Sequence, residues 1–280
     1  MHIRSSIGVF ALAAALMTAG APTQAFDATK YPDFTGVWQR ATTDQPRFDP
    51  SKPPGRGQGA PLTPEFQAKF EATLKDIAEG GKGELPAYTC LAPGMPMIMT
   101  AYVPMEIVVL PEITYIMIDH VYESVRRIFT DGRSFPNDAE PAFIGYSIGK
   151  WIDTDGDGKV DVLEVETRNL KGPRVYDESG LTLHSDNMSV IKERIYLDKA
   201  DRNVLHDELT VIDNGLTRPW TVMKTYKRET TPRMAWREEV CAEVNGHVKI
   251  GTEFYKLDPN GFLMPTKRNQ ASPNLRHFPN

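Results

Sequence analysis

The sequence predicts a mainly β protein: an antiparallel barrel or sandwich with one amphipathic helix and long surface loops. Three observations carry this. Between residues 98 and 228, runs rich in Val, Ile and Tyr are separated by turn residues. The stretch after Thr63 has helical periodicity. Strand–helix–strand alternation is missing, which argues against a doubly wound nucleotide fold.

Taken in order, the first residues read as a signal peptide. Arg4 supplies the positive start, Ile7 to Met17 a short apolar stretch, and Thr23-Gln24-Ala25 a small-x-small cleavage site. Cleavage is expected after Ala25, leaving 26–280 as one domain, exported to the periplasm or secreted. Asp33-Phe34-Thr35-Gly36-Val37-Trp38-Gln39 reads as a first strand. Residues 41–62 carry Pro46, Pro50, Pro53, Pro54, Gly55, Gly57, Gly59 and Pro61 and read as a surface excursion. Thr63 then caps a helix with Pro64 in its first turn and Glu65 near the positive end of its dipole. Phe66, Phe70, Leu74 and Ile77 form its apolar stripe, and Gly80-Gly81 ends it. Strands are expected at 106–110, 113–118, 121–130, 145–152, 160–168, 188–198, 203–212 and 220–228. The tail from Pro259 reads as an irregular wrap.

Composition narrows the function. The 280 residues hold 32 Lys+Arg against 37 Asp+Glu, and a net charge of −5 argues against gripping nucleic acid. No apolar run reaches the roughly 18–20 residues of a membrane span. In an oxidising compartment Cys90 and Cys241 are expected to pair, closing a loop of 151 positions. In the chain-entropy account such a bond contributes roughly 4–5 kcal/mol. Met95, Met97, Met99 and Met105 are soft enough for copper(I), but they also alternate as one apolar strand face does.

Phe34-x-Gly36-x-Trp38 resembles the Gly-x-Trp opening of lipocalin-like barrels, in which the Trp plugs one end. Cys90-x-x-Pro93-Gly94-Met95-Pro96, Pro104-Met105-Glu106-Ile107 and Arg126-Arg127-Ile128-Phe129-Thr130-Asp131-Gly132-Arg133 are similar to an uncharacterised family of exported bacterial proteins. So are Gly145-Tyr146-Ser147-Ile148-Gly149, Glu164-Val165-Glu166-Thr167 and Glu193-Arg194-Ile195. The resemblance spans about residues 33–245 and implies an exported lipocalin-like barrel, with no established reaction. The acidic turn at 153–161 departs from the short Glu-Gly-Asp turn of that family.

That turn holds the sharpest motif. Asp153, Asp155, Asp157, Lys159 (through its carbonyl), Asp161 and Glu164 match a twelve-position calcium loop, with Gly156 at its turn. The flanks read as strands, so a helix–loop–helix sensor is not expected.

A second constellation comes from the hairpin joining 188–198 to 203–212. If Asp198 and Asn203 close a four-residue turn, Glu193 faces Glu208 on the inner face, with Ile195 opposite His206, and Arg194 pairs with Asp207 outside. Two opposed carboxylates inside a barrel need a proton, a cation or an arginine, for which Arg126, Arg127 and Arg133 are candidates. His184, in a loop, could exchange protons near neutral pH. Glu106, Arg127, Arg133 and Trp220 complete the candidate ligand contacts. The expected function is binding of a small, largely apolar molecule in the barrel. The alternative is a lyase, hydratase or isomerase using Glu193, Glu208, His184 and His206 for acid–base work. A barrel filled by its own side chains would favour a structural envelope role.

Overall fold

The computed structural model describes residues 26–41, 59–100, 103–119, 125–177, 179–231, 240–241 and 245–273. The expected signal peptide, most of the Pro/Gly-rich excursion and residues 121–124 of one expected strand lie outside the described residues.

Nine strands close into a lipocalin-like barrel in chain order: β1 (Val37–Arg40), β2 (Met105–Val109), β3 (Ile113–Ile118), β4 (Val125–Phe129), β5 (Tyr146–Ile152), β6 (Val162–Arg168), β7 (Val190–Leu197), β8 (Val204–Ile212) and β9 (Trp220–Arg228). Closure falls on the short β1, where Trp38 sits opposite Met105 of β2 on one side and Arg228 of β9 on the other. Alternation does the sorting: β8 buries Leu205, Asp207, Leu209 and Val211 and turns the residues between them outward.

The antiparallel expectation fails at one joint. β4 and β5 run parallel, pairing Ile128 with Ser147 and Phe129 with Ile148. Residues 130–145 carry the chain back between them, and such a return is what parallel neighbours need in place of a hairpin.

Among the described residues, each end of the barrel has its own packing. At one end Trp38 is fully buried, its indole Nε1 donates to the Phe34 carbonyl at 2.9 Å, and Arg228 lies over its ring at 4.4 Å. Arg228 also donates to the carbonyls of Asp33 and Thr35, which pins the entering segment. At the other end α1 (Pro64–Ala78) leans on the barrel. Thr63 Oγ1 accepts from Phe66 N–H, and Phe66, Phe70 and Thr73 are buried, whereas Ile77 is exposed. Residues 169–177 and 179–189 fold over the same end.

The methionine stretch is not a strand. Met97–Thr100 is a turn of 3₁₀ helix, and all four residues are buried. Tyr226, an inward residue of β9, donates its hydroxyl to the Met99 carbonyl, so this segment enters the barrel. Met95, Met99 and Met105 join its core beside Ile116, Ile128 and Leu163.

The tail from Pro259 contains one short strand, and two further strands precede it. β10 (His247–Ile250), β11 (Glu253–Leu257) and β12 (Leu263–Pro265) form a separate antiparallel sheet. Gly251, at φ 64°, supplies the left-handed residue of the tight turn between β10 and β11. The Cys90–Cys241 disulfide is present, with a Cα–Cα separation of 5.7 Å. It ties the segment entering the barrel to the chain after β9. Replacing both cysteines with alanine should lower stability in chemical denaturation by roughly 2–5 kcal/mol. Thiol labelling of the oxidised protein without reductant should add no mass.

Candidate functional site

The β7–β8 register decides what the barrel encloses, and it differs by one residue from the expected one. Glu193 pairs with Leu209, Arg194 with Glu208, Ile195 with Asp207 and Tyr196 with His206. The cause lies in the connection. Asp198 Oδ1 accepts the N–H groups of Ala200 and Asp201 at 2.8 and 2.9 Å, and Asp201 Oδ1 accepts that of Asn203 at 2.9 Å. These side chain-capped turns take up one more residue than a four-residue loop, and one residue reverses the faces of β8. Asp207 therefore goes inside and Glu208 goes out.

Glu208 is 38% exposed and lies beside Arg194, which also reaches Glu164 at 3.4 Å. His206 also faces outward, with Nε2 3.2 Å from Asp198 and Nδ1 3.3 Å from Thr225. The expected pair Glu193/Glu208 is thus replaced by Glu193 and Asp207, diagonal neighbours on the inner face.

These two carboxylates have different partners. Glu193 is met by Arg126 from β4 in a two-pronged ion pair, Nη1 to Oε1 at 2.8 Å and Nη2 to Oε2. Arg126 Nη2 also donates to Thr167 Oγ1 at 3.0 Å, and Thr167 shares a 2.8 Å hydrogen bond with Ser147. Both charged side chains are essentially out of water. Removing one member of such a pair typically costs about 3–5 kcal/mol, because the other charge is left buried alone.

Asp207 has no such partner. It is fully buried, and neither carboxyl oxygen has a hydrogen bond. Lys224 is its neighbour across on β9. Burial first, then the negative charge of Glu193, pushes the Asp207 carboxyl well above the usual carboxylate range, against the pull of Arg126 and Lys224. Asp177, from the segment over the barrel end, is likewise pushed up by burial and has one unpartnered oxygen. Tyr176 beside it packs on Trp220 at 4.4 Å between ring centroids, and Lys224 Nζ lies 4.9 Å from the Tyr176 ring.

Of the other expected contacts, only Trp220 is inside. Glu106 faces outward on β2 and Arg127 is exposed on β4. Arg133 is drawn away by Asp131, with Nε at 2.8 and 2.9 Å from its two oxygens, and stacks on Phe129 at 3.9 Å. His184 stacks on Phe66 of α1, with Nδ1 3.0 Å from Asp186. It stands at the barrel end, apart from Glu193. The residues that sequence reasoning missed are Asp207, Lys224, Asp177, Ser147 and Thr167. One signal was available: burying Leu205, Leu209 and Val211 of β8 removes more apolar surface than burying Val204 and Ile212.

The acidic turn between β5 and β6 brings carboxylate oxygens of Asp153, Asp155 and Asp157 within 4.8 Å of one another, close enough to hold one metal ion. Asp153 is held by the N–H groups of Gly156 and Gly158, at 2.7 and 2.9 Å. Gly156 and Gly158, at φ 75° and 85°, make the turn possible. Asp161 departs from the twelve-position pattern and binds Thr154 instead, through the backbone N–H and the hydroxyl. Glu164 departs as well, lying on β6 beside Arg194.

Fold and site together define a closed β-barrel with a buried polar cluster and a separate acidic turn. Comparison with protein families, with curated proteins and with solved structures finds no match for the chain.

A raised carboxyl pKa makes folding proton-linked. The folded state holds the Asp207 proton more tightly than the unfolded chain, so stability is highest below the unfolded value near 4 and falls as pH rises toward the folded value. Asp207→Asn should remove that fall. At pH 8 it should raise stability by about 1 kcal/mol, roughly 2–4 °C in melting temperature for a domain of this size. Thermal melts of both proteins from about pH 4 to about pH 9 measure this.

Proposed function

We propose that this protein is an exported binder of a small, largely apolar molecule, held in the barrel and oriented by its polar cluster. The observation that carries this reading is Asp207: a carboxyl group with neither oxygen hydrogen-bonded, on the inner face of the barrel beside Glu193, Arg126 and Lys224, among aliphatic and aromatic residues. A buried polar group without partners costs about 1–3 kcal/mol, and folds retain such groups chiefly where they do something. Trp220, Tyr176 and Lys224 line the same region and supply aromatic surface with one cation. Trp38, Met95, Met99 and Tyr226 are fully buried in the barrel interior, so the molecule has to be small and its entry has to part these side chains; if it does not, the structural role remains.

Export to the periplasm is supported by the leader-like first 25 residues and by the Cys90–Cys241 bond. Among the described residues no helix is long and apolar enough to cross a membrane. The catalytic alternative is weaker on geometry, since Glu208 and His206 face outward and His184 stands at the barrel end. Native mass spectrometry of protein purified from its own host tests the binding reading. A stoichiometric adduct of a few hundred daltons or less is expected; a bare chain mass under gentle conditions would overturn it.

The acidic turn is the calcium site in this reading. Three carboxylates, backbone carbonyls and water suit a hard cation, and the N–H groups on Asp153 set the loop before the ion arrives. With Asp161 and Glu164 engaged elsewhere, affinity belongs in the range of extracellular modules, about 10⁻⁴–10⁻³ M. Calcium at about ten times that concentration should raise the melting temperature by mass action. Asp153→Ala or Asp157→Ala should abolish the calcium-dependent shift; in chelator the melting temperature should fall only by the small amount due to the turn's own N–H bonds.

A further inference from the structure

Between α1, the loop that follows it and the β10–β12 sheet lies a cleft of about 470 Å³. Small-molecule sites run from about 300 to 1,000 Å³ and favour junctions between packed units. This one stands outside the barrel, so an occupant here is independent of the barrel reading. Ala72, Thr73 and Asp76 face it from one side of the helix, and Glu253, Phe254 and Lys267 from the sheet side. Its walls are fixed to each other. Lys267 Nζ lies 2.8 Å from Asp76 Oδ1 and 2.6 Å from Glu253 Oε2, which ties α1 to β11. Asp76 Oδ2 also accepts the Gly83 N–H at 2.9 Å, folding the loop back on the helix. A Cβ at Gly81 would overlap the Asp76 carboxylate, so the loop can pass there only as glycine.

The charges that face the cleft separate into two poles. Asp76, Lys267 and Glu253 together carry a surplus carboxylate, because one ammonium answers two acids. Glu84 is met by Lys249 at 3.5 Å and Lys69 by Glu65 at 2.7 Å, so each of these is balanced. Lys82 remains. Its ammonium has no ion pair among the described residues and lies 5.2 Å from the centre of the Tyr88 ring. An anion alone would meet the surplus carboxylate, and a cation alone would leave Lys82 unanswered. An uncharged molecule would answer neither pole. A molecule carrying both charges answers both. We propose that this cleft binds a small zwitterion of amino-acid or dipeptide size, its ammonium at Asp76 and Glu253 and its carboxylate at Lys82. Ala72 and Phe254 supply apolar surface for its side chain, and Thr73 and Thr252 supply hydroxyl groups.

The test titrates the full chain with L-leucine and alanylalanine, and with isoamylamine and isocaproate, which carry one charge each. Binding is read from the amide proton shifts of α1 and of residues 81–84. At least one zwitterion should bind at a single site. Both singly charged probes should bind at least about tenfold more weakly, the typical worth of one charge-assisted hydrogen bond. Lys82→Gln should weaken the zwitterion by about tenfold or more, and Lys82→Arg should restore it by restoring the charge. Ala72 is an exposed helix position, so Ala72→Trp should fold and abolish binding by filling the cleft. Asp207→Asn, inside the barrel, should leave the affinity unchanged. Loss of binding in Asp207→Asn would place the molecule in the barrel and overturn the inference. Equal binding of either singly charged probe, indifference to Lys82→Gln or to Ala72→Trp, or silence from both zwitterions would also overturn it. The barrel reading is decided separately: an adduct that native mass spectrometry still finds on Ala72→Trp belongs to the barrel.

Discussion

In a closed barrel every second residue of a strand leaves water, so the register of β7 against β8 fixes which acidic side chains the interior must accommodate. Here that register is set by a few hydrogen bonds in the 198–203 connection, where Asp198 and Asp201 cap backbone N–H groups. With the connection one residue longer than a four-residue turn, Asp207 is inside and Glu208 is in the salt-bridge ladder outside. The interior arrangement follows. Glu193 takes Arg126 from across the barrel, Arg126 gathers Thr167 and Ser147, and Asp207 is left without a hydrogen bond beside Lys224, its carboxyl pushed upward by burial and by Glu193.

The Arg126–Glu193 pair links β4 to β7, strands that do not touch in the sheet. Its net stabilisation is small, since desolvating both charges offsets most of their attraction. Its value is geometric. A guanidinium gripping both carboxylate oxygens admits one orientation, which holds the two walls at one separation. That pairing also explains why one of two neighbouring carboxyl groups has partners and the other has none.

The ends of the barrel are handled by different chemistry. Trp38, Phe34 and Arg228 close one end by aromatic packing and backbone-directed hydrogen bonds. At the other end Arg174 is buried, donates to the Leu170 and His184 carbonyls at 3.1 Å, and lies 3.9 Å from Asp213. Asp213 in turn accepts the His184 N–H at 3.0 Å. This network, with the Val175–Thr182 bridge and the backbone bonds from Tyr176 to Leu181 and from Leu183 to Arg174, holds residues 170–177 and 179–189 over the barrel end. The acidic turn at 153–161 lies apart from both, against the Lys30 carbonyl that accepts the Val160 N–H. A cation there would stabilise the β5–β6 hairpin without touching the interior.

The sequence by itself determined the barrel strands, the helix and the disulfide, because each depends on local patterns. Two-residue alternation marks a half-buried strand wherever it sits, Thr63-Pro64 caps a helix without outside help, and two cysteines have only each other. Glu193 as an interior carboxylate seeking an arginine was legible for the same reason. The identity of its neighbour was not. It turned on one residue of loop length, which depends on which side-chain caps form, and strand patterns tolerate either face. The parallel β4–β5 joint, the entry of Met95–Thr100 into the barrel and the splitting of the twelve-residue acidic motif were decided only by tertiary structure. Each depends on what a distant element offers: Tyr226 for the Met99 carbonyl, Arg194 for Glu164, Ser147 and Ile148 for the end of β4. Sequence spacing states which atoms are available, and packing decides which of them meet.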